Sequence, residues 1–73
     1  MENNEMFYSA YYRTHVSAEQ LEEAYDLYVN YCNENNLKDE AEEIIEFHGL
    51  SGLHEGMIDH ILYHAEIAGF KVE

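Results

Sequence analysis

The chain has 73 residues and a formal net charge of −13, with 16 acidic side chains against three basic ones. A chain of this length forms one domain, here 1–73, which buries only about 60% of its unfolded surface. The sign of the charge excludes direct binding to DNA or to an anionic membrane. Because 47% of the residues are hydrophobic and seven are tyrosine, the composition predicts a folded acidic domain rather than a disordered tail.

Targeting signals and cysteines are sparse. The start "MENNEMFY" lacks the basic segment and apolar run of a secretory signal, and no stretch approaches the roughly 18 apolar residues of a membrane helix. Cys32 is the single cysteine and has no partner for an internal disulfide. We therefore expect a cytoplasmic protein in a reducing environment.

The segment 6–16, "MFYSAYYRTHV", fits two structures. Its Tyr, Thr and Val residues favour a strand, whereas Tyr8 and Tyr12 also have the spacing of neighbours on a short helix. A strand would need a partner, either the tail 70–73 or the same segment of a second subunit. We expect a short helix or a strand-like arm here.

A first helix is predicted to follow Ser17. The Ser17 hydroxyl can cap the amide of Gln20, the Gln20 side chain can reach back, and Val16 can pack onto Leu21. Apolar residues then recur at helical spacing until the helix fades in Asn33–Asn36, where side chains compete for backbone hydrogen bonds. The opposite face of this helix carries Glu19, Glu22, Glu23 and Asp26.

A second helix is predicted from about Leu37 to His48. Gly49 suits the position just past its end. Its inner stripe contains Leu37, Ala41, Ile44, Ile45 and His48, and its outer face contains Asp39, Glu40, Glu42, Glu43 and Glu46.

A third helix is predicted from about Gly52 or Leu53 to Ala68, with Ser51 as its cap and Gly69 as its stop. Its apolar face covers about half the circumference, wider than the roughly 100° stripe of an ordinary surface helix. This width predicts a central helix that either touches both remaining helices of its own chain or meets a second copy of itself, and we expect the second. The predicted homodimer interface is formed by Met57, Ile58, Ile61, Leu62 and Ala65.

Taken together, the elements predict a predominantly all-α fold, a small three-helix domain with a short N-terminal helix or strand-like arm. The acidic faces of the first two helices are its most unusual property. Pairs four residues apart, such as Glu19 with Glu23 and Glu42 with Glu46, repel each other, whereas solvated helix faces usually mix both signs of charge. The spacing therefore favours binding to a basic protein surface, and solubility alone is the competing interpretation.

The runs "EQLEEAYD" and "KDEAEEIIE", the short length and the composition resemble the small acidic inhibitors encoded by bacteriophages. That class includes DNA-mimic antirestriction proteins, several anti-CRISPR proteins and the phage inhibitor that fills the channel of the bacterial sliding clamp. The resemblance is one of physical type rather than of motif, so it assigns no role to individual residues. It implies a non-enzymatic inhibitor whose carboxylates stand in for phosphates and which often works as a dimer.

Other chemistry finds less support in the sequence. His60 and His64 have the spacing of two metal ligands, and His54 or Asp59 could supply a third. The pattern lacks the general-base Glu of H-E-x-x-H and a Cys pair that would support a structural zinc site. Cys32 falls on an apolar face, where a thiol usually acts as a small hydrophobe. We expect no enzyme activity, no cofactor and no metal.

The tyrosines are the second candidate for partner contact. Tyrosine combines apolar area with a hydroxyl at low entropic cost, as interfaces favour. Tyr8, Tyr11 and Tyr12 are expected at the partner surface, and the tyrosines of the first helix in the core or at a dimer seam. The alternative to charge mimicry is thus a small interaction or regulatory subunit that binds through a Tyr-rich apolar surface.

Overall fold

The computed structural model describes residues 5–72, so residues 1–4 and 73 of the predicted domain lie outside the description. The elements in chain order are β1 (Met6–Ser9), β2 (Thr14–Ser17), α1 (Ala18–Glu34), α2 (Glu42–His48), a 3-10 turn (Leu50–Gly52) and α3 (Glu55–Ile67).

The N-terminal segment corrects the predicted fold class. β1 and β2 pair antiparallel in a two-stranded sheet, with Phe7 opposite Val16 and Ser9 opposite Thr14. The all-α prediction is therefore wrong, and the fold is a mixed one in which helices predominate. The strand finds its partner within the segment itself, not in the tail or in another subunit.

A contact with α3 holds the turn of this hairpin. Asp59 Oδ1 accepts a hydrogen bond from the Ser9 hydroxyl at 2.8 Å and one from the Tyr11 amide at 3.4 Å, and the buried Ser9 hydroxyl accepts one from the Tyr12 amide at 3.1 Å. Arg13 takes a positive φ of 57°, a conformation that a hairpin turn usually gives to Gly or Asn. The turn contains no Gly or Asn, and the hydrogen bonds to Asp59 of α3 hold it instead.

The start of α1 is confirmed. The Ser17 hydroxyl accepts a hydrogen bond from the Gln20 amide at 3.1 Å, and Gln20 Oε1 accepts one from the Ser17 amide at 2.9 Å. This reciprocal pair satisfies two backbone donors at the point where the sheet passes directly into the helix.

The start of α2 is corrected from Leu37 to Glu42. The Asp39 carboxylate accepts hydrogen bonds from the Ala41 amide, at 3.0 Å, and from the Tyr25 hydroxyl of α1. Such a bond to the amide two residues ahead favours a turn over a helix. The segment before Glu42 is therefore held against α1 in a non-helical conformation.

The start of α3 is corrected as well. Its cap is His54, whose Nδ1 accepts a hydrogen bond from the Met57 amide at 3.2 Å, and not Ser51. Ser51 lies in the 3-10 turn and donates its hydroxyl proton to Glu5. Gly49 takes a φ of 74° directly after α2, as its predicted position past a helix end requires.

The core lies between α1 and α3, which pack more extensively on each other than any other two elements do. Phe7 and Val16 of the hairpin and Phe70 after α3 are also buried in it. The buried residues of the two helices are Ala18, Leu21, Ala24, Tyr28 and Cys32 of α1 and Ile58, Ile61, Leu62 and Ala65 of α3.

Removing the cap of α1 should destabilise the fold. We expect Ser17→Ala to lower the free energy of unfolding by about 1 kcal/mol, because it leaves the Gln20 amide without its acceptor. Urea denaturation followed by circular dichroism measures the change. Ser51→Ala is the matched control and should cost less, because its hydroxyl bonds to an exposed side chain. A larger loss from Ser51→Ala would contradict this assignment of the caps.

Candidate functional site

The outer surface of α1 carries a stripe of exposed carboxylates. The helix buries its opposite side against α3, and this fixes the direction of the charged side chains. We name this stripe the α1 acidic face; it consists of Glu19, Glu22, Glu23 and Asp26, all exposed.

A second group of exposed carboxylates lies on α2 and the turn before it. We name it the α2 acidic face; it consists of Glu40, Glu42, Glu43 and Glu46. Asp39 was predicted to belong to this surface, and the structure corrects that: its side chain is half-buried and bonds to Tyr25 and to the Ala41 amide. Asp39 therefore has a role in the fold, and its contact with a partner stays a prediction.

The carboxylates of the two faces make no ion pair or hydrogen bond with any other part of residues 5–72. Within each face, neighbours repel at helical spacings of three and four residues. Their mutual repulsion is offset only by solvent and counterions, so both faces are free to meet a cationic surface.

Two of the three tyrosines expected at the partner surface are exposed. Tyr8 is 43% exposed and Tyr11 is 47% exposed. The Tyr11 hydroxyl donates to Glu66 at 2.8 Å, and its ring lies edge-on to Tyr63, with ring centroids 5.7 Å apart. Tyr63 is itself 46% exposed, so the aromatic surface joins the hairpin turn to α3.

Tyr12 is the exception among the three. Its hydroxyl is buried and has no hydrogen-bond partner among the described residues. Burial, followed by the negative charge of Glu66, raises the pKa of Tyr12 to about 12. The ring of Tyr12 is partly buried and packs against the core, so its contact with a partner stays a prediction.

The residues predicted for a dimer interface on α3 face the interior of this chain. The apolar face of α3 packs on α1, so that Ile58, Ile61, Leu62 and Ala65 are buried and Met57 is partly buried. A wide apolar stripe on one helix is explained here by two contacts within the chain, one with α1 and one with β1. Homodimerisation stays a prediction, and on α3 it would have to use exposed side chains such as Tyr63 and Ile67.

The histidines do not assemble the metal site considered from their spacing. His54 caps α3 and Asp59 bonds to the hairpin, so neither joins His60 and His64. The rings of His60 and His64 lie with centroids 4.5 Å apart. Across residues 5–72, no group of three or more His, Cys, Asp or Glu side chains has the arrangement to hold a metal ion.

A cleft lies between α1, α3 and the segment that follows α1. Its volume is about 200 Å³, and five of its lining side chains are Tyr28, Tyr31 and Cys32 of α1 with His60 and His64 of α3. The rings of Tyr31 and His64 stack with their centroids 4.6 Å apart and their planes at 23°. The cleft is therefore walled by aromatic rings.

The segment between α1 and α2 completes the cleft with Leu37, Lys38 and Glu40. This cavity was not predicted from the sequence, because the pattern predicted a helix from Leu37 onwards. The one available signal was the pair Tyr31 and Cys32, which faces His60 and His64 only when α1 packs on α3.

No family model, curated protein or solved structure matches this chain. Within residues 5–72, the helices are all too short or too polar to cross a membrane.

Stability should fall at alkaline pH. Burial is the main cause that raises the pKa values of Tyr12 and Tyr28 to about 12, and burial and the bond to Asp39 raise that of Tyr25. In the unfolded chain these groups ionise near pH 10. Their contribution to the free energy of unfolding is therefore fully present below about pH 10 and is lost as the pH rises towards 12. Urea midpoints at a series of pH values from 8 to 12 measure the loss.

Tyr12→Phe tests the cause of this loss. It removes an ionisable hydroxyl that has no hydrogen-bond partner, so it should cost little stability at pH 7 and make the alkaline fall shallower. A variant whose fall is as steep as that of the unmodified chain would contradict the role given to Tyr12.

Proposed function

We propose that this chain is a non-enzymatic inhibitor that mimics the charge of nucleic acid and occupies the DNA-binding channel or groove of a basic host protein. The observation that carries the proposal is the set of exposed, unpaired carboxylates on the α1 and α2 acidic faces. Such a concentration of one charge costs stability in a small domain, so a function for it is favoured over solubility alone.

The spacing on α1 supports this choice of partner. Glu19 and Asp26 are seven residues apart, so four carboxylates lie within about 10 Å of helix axis. A single DNA strand carries one charge per about 3.4 Å. The α1 acidic face thus has about the linear charge density of one nucleic-acid strand, and Lys or Arg side chains that grip phosphates can grip it too.

The mechanism is competition for a shared site. Long-range attraction between the −13 chain and a basic groove speeds their encounter, and salt weakens it. Sliding clamps, nucleases and CRISPR effectors all offer grooves of this kind. An inhibitor of this class would act in the cytoplasm of a bacterial host, as a phage-encoded protein does.

Charge reversal should abolish binding. We expect the chain with Glu22, Asp26, Glu42 and Glu46 changed to Lys to lose its partner, because repulsion replaces attraction on both acidic faces. The measurement is an affinity pull-down from a bacterial lysate at low salt, eluted by a salt gradient and analysed by mass spectrometry. Recovery of the same partner by the reversed variant, with helices intact by circular dichroism, would contradict the proposal.

Two single substitutions distinguish the effect of where a charge lies from the effect of the net charge of the chain. Glu22→Lys and Glu55→Lys change the net charge equally, but Glu55 lies at the start of α3 and belongs to neither acidic face. Under the proposal, Glu22→Lys elutes the partner at clearly lower salt than Glu55→Lys does. Equal elution would mean that only net charge matters.

The exposed aromatic surface favours a second candidate, an interaction or regulatory subunit. Tyr8, Tyr11 and Tyr63 are each more than 40% exposed, and two of them are in ring contact. Under this candidate, Tyr63→Ser releases the partner and the charge-reversed variant keeps it at high salt. The same pull-down therefore distinguishes the two functions.

A further inference from the structure

Phe47 of α2 is the most exposed large hydrophobic residue of the described chain. It is 75% exposed, whereas the next, Ile67 at the end of α3, is 61% exposed. None of the seven residues of α2 is buried. The helix therefore holds an aromatic ring in the solvent, which costs free energy in the unbound domain.

The 3-10 turn covers the other side of α2 and is the element that packs most extensively on it. A β-carbon added to Gly52 would lie 2.5 Å from His48 Cβ and 3.2 Å from Ile44 Cγ2, so the backbone of the turn lies directly against these two side chains. Ile44 and Ile45 also pack against the core. Phe47 takes part in neither contact, and its ring is left on the open side of the helix.

Carboxylates of the α2 acidic face border this ring. Glu43 lies one helical turn before Phe47, and residues four apart are neighbours on a helix surface. Projected around the helix axis, Glu43 lies about 40° from Phe47 and Glu46 about 100° from it on the same side. The open side of α2 therefore combines an apolar ring with a negatively charged border.

The charge of this border selects what can cover Phe47. A second copy of the chain would bring its own carboxylates against Glu43 and Glu46, and the −13 charge of each copy opposes that contact. An anionic membrane surface is repelled for the same reason. A protein surface that carries Lys or Arg around an apolar patch complements both the ring and its border.

We propose that Phe47 inserts into an apolar patch on a basic protein, while Lys or Arg side chains around that patch pair with Glu43 and Glu46. Aromatic residues are enriched in protein interfaces, and a few central residues supply most of the binding energy. The inference rests on the proposed function for the sign of the partner's charge. It adds an apolar contact, which salt does not screen as it screens the charges.

The test uses two synthetic basic peptides as probes. In the first, leucines and lysines follow helical spacing, so that an apolar stripe is flanked by lysines; in the second, glutamine replaces every leucine and the charge is unchanged. Isothermal titration calorimetry at low salt measures the affinity of the full chain for each peptide. We expect Phe47→Ser to weaken binding of the leucine peptide roughly tenfold and to leave that of the glutamine peptide within about twofold.

Ile67→Ser is the matched control, because it also replaces an exposed hydrophobic residue with serine but lies on α3. It should leave the affinity for both peptides unchanged. Equal affinity of the leucine peptide for the unmodified chain and for a Phe47→Ser variant with intact helices would overturn the proposal, as would an equal loss from Ile67→Ser. A dimer of the free chain that Phe47→Ser converts to a monomer would also overturn it, because a second copy would then cover the ring.

The same titrations distinguish failure of this inference from failure of the proposed function. The variant with Glu22, Asp26, Glu42 and Glu46 changed to Lys should lose both peptides. Retention of the glutamine peptide by that variant would contradict charge mimicry, because the acidic faces would then not hold the lysines. Loss of both peptides by that variant, together with no effect of Phe47→Ser, would leave charge mimicry standing and would overturn the role of Phe47 alone.

Discussion

The packing of α1 on α3 is the contact on which the other features of this domain depend. Leu21, Ala24 and Tyr28 meet Ile61 and Leu62 in a core that accepts the hairpin at one end. Burial of one side of α1 turns its acidic residues outward, and the same packing brings tyrosines of α1 beside histidines of α3. Both the α1 acidic face and the aromatic cleft thus follow from one helix pair.

That helix pair must also offset a large electrostatic cost. A domain of 73 residues has only a small margin of stability, and the unpaired carboxylates of both faces subtract from it. Side-chain hydrogen bonds at the junctions help to keep the fold together: Ser17 with Gln20 at the start of α1, and Tyr25 with Asp39 between α1 and α2. Binding to a basic partner would offset this repulsion, so the free energy that the carboxylates cost the free domain would be recovered in the complex.

Local patterns in the sequence predicted the parts of the fold that local contacts determine. The capping box at Ser17 and the inward face of α1 were correct, because both follow from spacing within one helix. The hairpin and the start of α2 were missed, because Asp59 and Tyr25 hold them from distant positions in the chain. The apolar width of α3 predicted either packing within the chain or a dimer face, since a hydrophobic stripe does not reveal whether its cover comes from the same chain. The exposed acids were predicted, whereas the cleft requires the tertiary packing.

Displacement of DNA tests charge mimicry most directly. A fluorescent DNA duplex is bound to the partner recovered by pull-down, and its anisotropy is followed as the chain is added at low salt. Charge mimicry predicts full displacement by the unmodified chain, no displacement by the variant reversed at Glu22, Asp26, Glu42 and Glu46, and a loss of competition as salt rises. A ternary complex, in which DNA stays bound while the chain binds elsewhere on the partner, would contradict it.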